Sequence, residues 1–326
     1  MLRDKIFSIQ DDDDFLSVAL SIFRYQYEHC PIYRRYTDML HCDVAAIKEV
    51  KDIPFLPIEF FKTQKIIANG RSAQLQFTSS GTTSEQTSTH YVADKMLYEE
   101  SFLRGFEYFA GKPSQFVILA LLPSYLERKN SSLVYMINHL IDQSKHPDSG
   151  FYLYNYDSFA EKLNELEAKN QKTLVFGVGF ALLDVVEHYQ FKHNDLWVFE
   201  TGGMKGRRRE ISREELHKKL SDGFGVDIIY SEYGMTELLS QAYSINGESF
   251  RCPPWLKIVL RDTQDPLTLI DSPDKRGGIN VIDLANLYSC SFIATQDLGK
   301  YRQDGSFEVL GRFDYADIRG CNMLTE

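Results

Sequence analysis

The sequence predicts an α/β fold, a mostly parallel sheet covered by helices, followed by a smaller β-rich part. Three observations point there. From about residue 112 short strand-like runs alternate with helical segments, the signature of βαβ crossovers. After Arg251 the helical pattern stops and strand-like runs joined by polar or glycine turns take over. With 43% hydrophobic and 25% charged residues over 326 positions, the chain can bury a large core. The expected organisation is an α/β part over 1–250, a β-rich subdomain over 251–316 and a flexible tail over 317–326 that carries Cys321.

At the N-terminal end, "DDDD" (11–14) reads as a solvated helix start, with acidic side chains favoured by the helix dipole. Phe15, Val18, Ile22, Phe23 and Tyr27 come next at helical spacing, and Pro31 breaks or redirects that helix. In "DIPFLPIEFFKTQKI" two prolines among large apolar residues predict an extended, buried connection. The parallel strands are assigned to "QFVILALL", "FYLYNY", "KTLVFGVGF", "DLWVFET" and "DIIYSEYG". Helices fall between them on "SSLVYMINHLIDQ", "DSFAEKLNELEAKN" and "SREELHKKLSDG". The β-rich strands are "WLKIVLRD", "GGINVIDLAN", "SFIATQDLGKY" and "SFEVLGRFD".

Composition also excludes functions. A net charge of -10 argues against general nucleic-acid binding, which needs a basic surface. The longest apolar run, Phe116–Leu122, is too short to span a membrane, and the first residues lack the order of a signal peptide, so the expected location is the cytoplasm. Five cysteines at 30, 42, 252, 290 and 321 fit neither a disulfide framework nor paired zinc ligands. The eight histidines show no HxxxH or HExxH spacing.

Three stretches carry possible chemistry. In "QFTSSGTTSEQTSTH" (76–90), Gly81 lets the backbone turn so that amides face an anion, while Ser79, Ser80, Thr82, Thr83 and Ser84 supply hydroxyl donors. A polar surface loop is the plainer alternative. In "IIYSEYGMTELLSQ" (228–241) a strand ends at Tyr233 and turns at Gly234, leaving Thr236 and Glu237 at the carboxyl edge of the sheet, where α/β proteins place ligands. There Tyr233 suits a base, Thr236 a phosphate and Glu237 a Mg²⁺ ion; the plainer alternative is a helix N-cap at Thr236. In "TQDLGKYRQDGSFEVLGRFD" (295–314), Asp297 and Arg312 flank a hairpin that would pass for ordinary β-structure alone.

Together and in this order, these stretches resemble the acyl-adenylate-forming superfamily. Its "TSGTTG" phosphate loop is similar to Ser79–Ser84, its "YGxTE" to Tyr233–Glu237, its "TGDLG" to Thr295–Gly299 with Gln296 in place of glycine, and its "GRxDDxIKxxG" to Gly311–Gly320. The resemblance implies an acetyl-CoA synthetase-like large-domain fold, ATP and Mg²⁺ as cofactors, and a carboxylic acid as substrate. It implies that Tyr233 stacks on adenine, Glu237 serves Mg²⁺, Asp297 holds the ribose hydroxyls and Arg312 lies beside the ribose and phosphate. The lysine usual after the phosphate loop is missing, and the sequence stops where most members continue into a mobile C-terminal domain with a catalytic lysine.

One branch, the LuxE-type acyl-protein synthetases related to phenylacetate-CoA ligases, resembles this sequence in "IPFLPIEFFK", in the Gly202-Gly203-Met204-Lys205 element and in a cysteine near the C-terminus. That branch implies a fatty acid activated as its adenylate, transfer to Cys321 as a thioester, and delivery to an acceptor such as a reductase or acyl carrier protein. Lys205 opens "KGRRR", which on charge alone reads as a solvated loop, or else neutralises phosphate. Cys30, Cys42, Cys252 and Cys290 sit in or beside apolar segments and read as packing; for Cys321, packing and chance stand beside reactivity. Ligation to free coenzyme A, and a non-catalytic nucleotide- or acyl-binding module, are the competing functions.

Overall fold

The computed structural model describes residues 2–79, 87–123, 130–202, 209, 211–270, 272 and 275–313. They divide into two compact units, each discontinuous in sequence. One comprises the chain up to Leu75, Ser88–Asp94 and the described residues from Arg251 onward; the other comprises Gln76–Thr87 and Lys95–Phe250. The break after Phe250 falls where the helical pattern gives way to strands, and the N-terminal helices fold with the β-rich part.

The first unit opens with helices α1 (Leu2–Ile6), α2 (Asp12–His29) and α3 (Pro31–Met39), strand β1 (Leu56–Pro57) and helix α4 (Phe60–Thr63). The Asp11 side chain caps α2 by accepting from Asp14 N at 2.9 Å, and Asp12, Asp13 and Asp14 fill its first turn. The buried face is Phe15, Val18, Ala19, Ile22, Phe23 and Gln26. Tyr27, expected on that face, is half-buried instead: its hydroxyl donates to Asp38 Oδ1 at 2.8 Å. Gln26 is fully buried because its polar atoms are satisfied. Its amide donates to the carbonyls of Asn286 and Leu287 and to Ser291 Oγ, and accepts from Ser291 N. Pro31 starts α3 at a position where its missing N–H costs nothing. Phe23, Tyr33, Phe55 and Phe292 then pack ring against ring.

Two short strands come next, β2 (Leu75–Thr78) and β3 (Thr89–Val92). The second unit runs α5 (Lys95–Ala110), β4 (Val117–Leu121), α6 (Ser132–Ser144), β5 (Gly150–Tyr152), α7 (Tyr156–Ala168), β6 (Thr173–Val178), α8 (Gly179–His188), β7 (Leu196–Thr201), α9 (Arg213–Phe224), β8 (Ile229–Tyr233) and β9 (Ala242–Ser244). The strand order is β5-β4-β6-β7-β8-β9, parallel except for the antiparallel β8–β9 pair. Each predicted parallel strand forms, and the three predicted helices are α6, α7 and α9. Helix α8, between β6 and β7, is not among them; it takes Gly179 and Phe180 from the end of the predicted strand "KTLVFGVGF" because that strand stops at Val178. Every residue of β4 and β6 is buried, as expected of strands covered on both faces. Register places Phe176 opposite Phe199 and Phe199 opposite Tyr230, so the rings stack at 5.7 and 5.0 Å across three strands.

The first unit resumes with β10 (Leu256–Arg261), β11 (Leu269–Ile270), β12 (Arg276–Asp283), β13 (Phe292–Tyr301) and β14 (Phe307–Arg312). Its sheet has the order β1-β13-β12-β10-β11, with β14 also on β13, and only β1 runs parallel to its neighbour. Arg261, 8% exposed, spends its donors inside this sheet on the carbonyls of Ile279 and Thr295 and on Asn280 Oδ1. No helix among the described residues is long and apolar enough to cross a membrane.

Candidate active site

In the second unit, β7 and β8 run parallel side by side, so the loops leaving both strands emerge at the same carboxyl edge. Gly202 comes directly after β7 with φ +75, a left-handed conformation that a side chain would strain. Tyr233 ends β8. The chain then enters a turn closed by Leu238 N donating to Met235 O at 3.1 Å, so Thr236 caps no helix. Gly234 passes so close to its neighbours that an added Cβ would lie 2.4 Å from Glu232 Oε1 and 3.2 Å from Gln241 Cγ. Thr236 is half-buried in the turn and Glu237 is 5% exposed. Behind the turn, Ser240 Oγ and Ser101 Oγ of α5 share a hydrogen bond of 2.9 Å.

Two buried carboxylates that are not among the sequence-predicted site residues, Glu200 and, within the 228–241 stretch, Glu232, lie directly behind this edge. Glu200 accepts from Ser231 Oγ at 2.7 Å, with His217 Nε2 at 3.4 Å and Arg213 Nε at 4.0 Å. Burial pushes its carboxyl up, but the hydrogen bonds from His217 and Ser231 and the Arg213 charge outweigh burial and hold it below the usual range. Glu232 accepts from Thr201 Oγ1 at 2.6 Å. Burial pushes its carboxyl up to about 7; the Thr201 bond offsets this only in part, and the Glu200 charge adds to it. One carboxylate is therefore ionised and its neighbour sits near half-protonation at neutral pH. An acidic residue inside an otherwise apolar strand is the signal that marks both in "DLWVFET" and "DIIYSEYG".

Ser79 comes directly after β2, whose Phe77 packs on Tyr98 and Tyr135 at 5.3 and 5.6 Å, while Thr78 N donates to Asn130 O. Tyr135 donates to Glu99 at 2.6 Å and Tyr98 to the Ser132 carbonyl, so α5 and α6 hold this end of the strand. Ser80, Gly81, Thr82, Thr83, Ser84, Gly203, Lys205 and Cys321 lie outside the described residues.

In the first unit, β13 and β14 place Asp297 opposite Arg312, with Arg312 Nε 3.5 Å from Asp297 Oδ1. The carboxylate is largely enclosed, at 14% side-chain exposure, and the guanidinium is open at 81%. Asp297 N donates to Thr295 Oγ1, and Phe313 N returns to the Gln296 carbonyl. Gln296, which stands where the similar motif has glycine, uses its amide to donate to Glu59 Oε1 at 2.6 Å, tying β13 to the "IPFLPIEFFK" segment. Thus Gly202, Tyr233, Gly234, Thr236 and Glu237 share one sheet edge, and Asp297 and Arg312 share one hairpin.

The four described cysteines are free, and each thiol is pushed up by burial: Cys30, Cys42, Cys252, where Asp283 adds to the effect, and Cys290. A raised pKa suppresses the thiolate; Cys30 and Cys290 are fully buried, whereas Cys42, beside the Asp43 and Asp52 charges, and Cys252 are half-buried. No group of three or more His, Cys, Asp or Glu able to hold a metal occurs among the described residues. A single enclosed carboxylate such as Glu237 nevertheless suits Mg²⁺, which keeps its waters and binds through one or two carboxylates plus substrate phosphates.

Comparison with known proteins agrees with this architecture. The family described as acyl-protein synthetase, LuxE, matches residues 7–326. A long-chain-fatty-acid–luciferin-component ligase from Photorhabdus luminescens is 39% identical over 66 residues, covering 20% of this chain and 56% of that protein. Among solved structures, an open conformation of 2-hydroxyisobutyryl-CoA ligase, in complex with its adenylate and CoA, is similar over 93% of this chain and 75% of its own, at TM-score 0.69 and 12% identity. ATP-bound MatB from Rhodopseudomonas palustris covers 73% of this chain and 47% of its own, at TM-score 0.54 and 16% identity. The chain thus spans about half the length of MatB and of the curated relative. At these identities the solved structures establish the fold, which is that of the acyl-adenylate-forming ligases.

Proposed function

Because the chain belongs to the LuxE acyl-protein synthetase family, we propose that it is an ATP-dependent ligase that activates a fatty acid as its acyl-adenylate and transfers the acyl group to Cys321. The observation that carries the reading is the sheet edge where Tyr233, Thr236 and the enclosed Glu237 end and leave β8 beside Gly202. A carboxylate is a poor electrophile until one oxygen becomes part of a good leaving group. In the first step that oxygen attacks the α-phosphorus of ATP, and pyrophosphate departs with the electrons of the broken P–O bond. Catalysis here rests on alignment and on neutralising charge over the phosphate oxygens.

In this reading Tyr233 stacks on adenine, Asp297 binds the ribose hydroxyls and Arg312 lies beside ribose and phosphate. Thr236, Ser79, Ser80, Gly81, Thr82, Thr83 and Ser84 hold phosphate through hydroxyls and amides, joined by Gly202, Gly203 and Lys205. Mg²⁺ held by Glu237 would neutralise phosphate charge. In the second step the Cys321 thiolate attacks the adenylate carbonyl, a thioester forms and AMP leaves. An ordinary cysteine is only a few per cent ionised at pH 7; a cation beside the thiol would raise that fraction, and Arg319 is the basic residue nearest Cys321 in the sequence. The raised thiol pKa values of the other four cysteines support Cys321 as the acceptor. A second acceptor, a reductase or an acyl carrier protein, then receives the acyl group. The reading places the reaction in the cytoplasm, in keeping with the four described cysteines being free.

Cys321→Ser is expected to keep carboxylate-dependent ATP–pyrophosphate exchange and to lose the acyl adduct seen by intact-mass spectrometry. An adduct that persists in the variant removes Cys321 from the mechanism. Acylation of free coenzyme A by that variant would assign direct acid–CoA ligation instead.

A further inference from the structure

Arg213 opens α9 at the first helical position, behind the Ser212 cap, whose hydroxyl accepts from Glu215 N. The helix dipole disfavours a cation there, so the side chain needs another reason to stay. Besides Glu200, whose Oε1 lies 4.0 Å from Nε, its guanidinium meets three further groups. Nη2 donates to Ser231 Oγ at 2.8 Å, Nη1 donates to the Glu248 carbonyl at 2.9 Å, and Cζ lies 4.6 Å from the ring centre of Phe250. The Ser231 hydroxyl donates in turn to the buried Glu200, which His217 also faces. Phe250, itself 5% exposed, lies 5.9 Å from the Tyr233 ring at an interplanar angle of 57°. The planar fork therefore braces β8 from one side through Ser231 and from its ring side through Phe250.

We propose that Arg213 is a positioning residue for the nucleotide: acting through Phe250 and Ser231, it sets the plane and height of the Tyr233 ring on which the adenine rests. This rests on the reading of Tyr233 as the adenine platform. Arg213 touches no reacting atom, so its effect falls on ATP and spares the acid substrate. A preset ring spares the nucleotide the cost of ordering it on binding.

The test measures KM for ATP and for the fatty acid in pyrophosphate exchange, alongside direct titration with Mg·ATP, for Arg213→Met, Arg213→Lys, Phe250→Leu and Tyr233→Ala. Circular dichroism and thermal melting report folding for each. Arg213→Met and Phe250→Leu are each expected to raise the ATP KM about tenfold, with the acid KM within about twofold, the range of one aromatic contact. Arg213→Lys, which keeps the charge over Phe250 but not the fork, recovers part of the loss. The Arg213→Met/Phe250→Leu double variant is no worse than Arg213→Met alone, because the contribution of Phe250 already depends on Arg213. If Tyr233→Ala weakens Mg·ATP while folded Arg213→Met leaves the ATP KM unchanged, the positioning role is overturned. If Tyr233→Ala also leaves Mg·ATP binding unchanged, the adenine-platform reading falls, and the inference with it.

Discussion

Glu237→Gln is expected to lower carboxylate-dependent ATP–pyrophosphate exchange by at least about 100-fold, the scale on which a single preorganised charge-stabilising group acts in an active site. The side chain sits in the turn after β8 at 5% exposure, so a solvated carboxylate is not what the fold provides there. Glutamine keeps the shape and removes the charge. It therefore tests metal holding rather than packing, and Glu237→Asp is expected to restore part of the rate. Raising Mg²⁺ should recover little in Glu237→Gln if the lost group is the carboxylate itself. Exchange within about threefold of the unaltered protein would remove Glu237 from the metal site.

Glu232→Gln is expected to stabilise the protein at neutral and alkaline pH while leaving stability near pH 4 almost unchanged. The folded pKa of Glu232, about 7, lies above the ordinary glutamate value of 4.5. Between those values the folded state binds more protons than the unfolded state, so stability falls as pH rises through this window. Integrated, the difference is about 3 kcal/mol at most, complete above pH 7. Glutamine, like the protonated acid, still accepts from Thr201 Oγ1 but cannot ionise. Glu200 works in the opposite sense: its lowered pKa contributes stability present above its unfolded value and lost as pH falls through its folded one. The two windows are separate, so denaturant titrations at pH 5 and pH 8 isolate Glu232. Equal pH slopes for the unaltered protein and Glu232→Gln would mean that Glu232 does not titrate in this range.

Period and punctuation made most of the architecture legible. The parallel strands are short apolar runs between helical segments, and "DDDD" before an apolar stripe marked the start of α2. What pattern could not supply was which polar residues go inside. Gln26 displaces Tyr27 from the buried face of α2 because Asn286, Leu287 and Ser291 meet its amide from 260 or more positions away in sequence. Nor does periodicity show that the N-terminal helices fold with the strands after Arg251, since that depends on contacts distant in sequence.

In the site, Tyr233–Glu237 and the Asp297–Arg312 pair were legible as motifs, and each set is brought together within its own unit. Glu200, Glu232, Arg213, His217 and Phe250 were not, because their roles arise from strand register and helix packing rather than spacing. Glu200 meets Ser231 only because β7 and β8 pair in that register. Gln296, which looked like a departure from a glycine motif, has a local reason in its bond to Glu59.

The most direct test of adenylate formation at this sheet edge is ATP–pyrophosphate exchange by the purified full chain across a panel of carboxylic acids of increasing chain length, with Mg²⁺ present. The expected result is exchange that requires a carboxylic acid, is strongest with a fatty acid, and is accompanied by an acyl adduct on the protein. Nucleotide binding without exchange under any acid, or exchange that proceeds equally well with none, would contradict it.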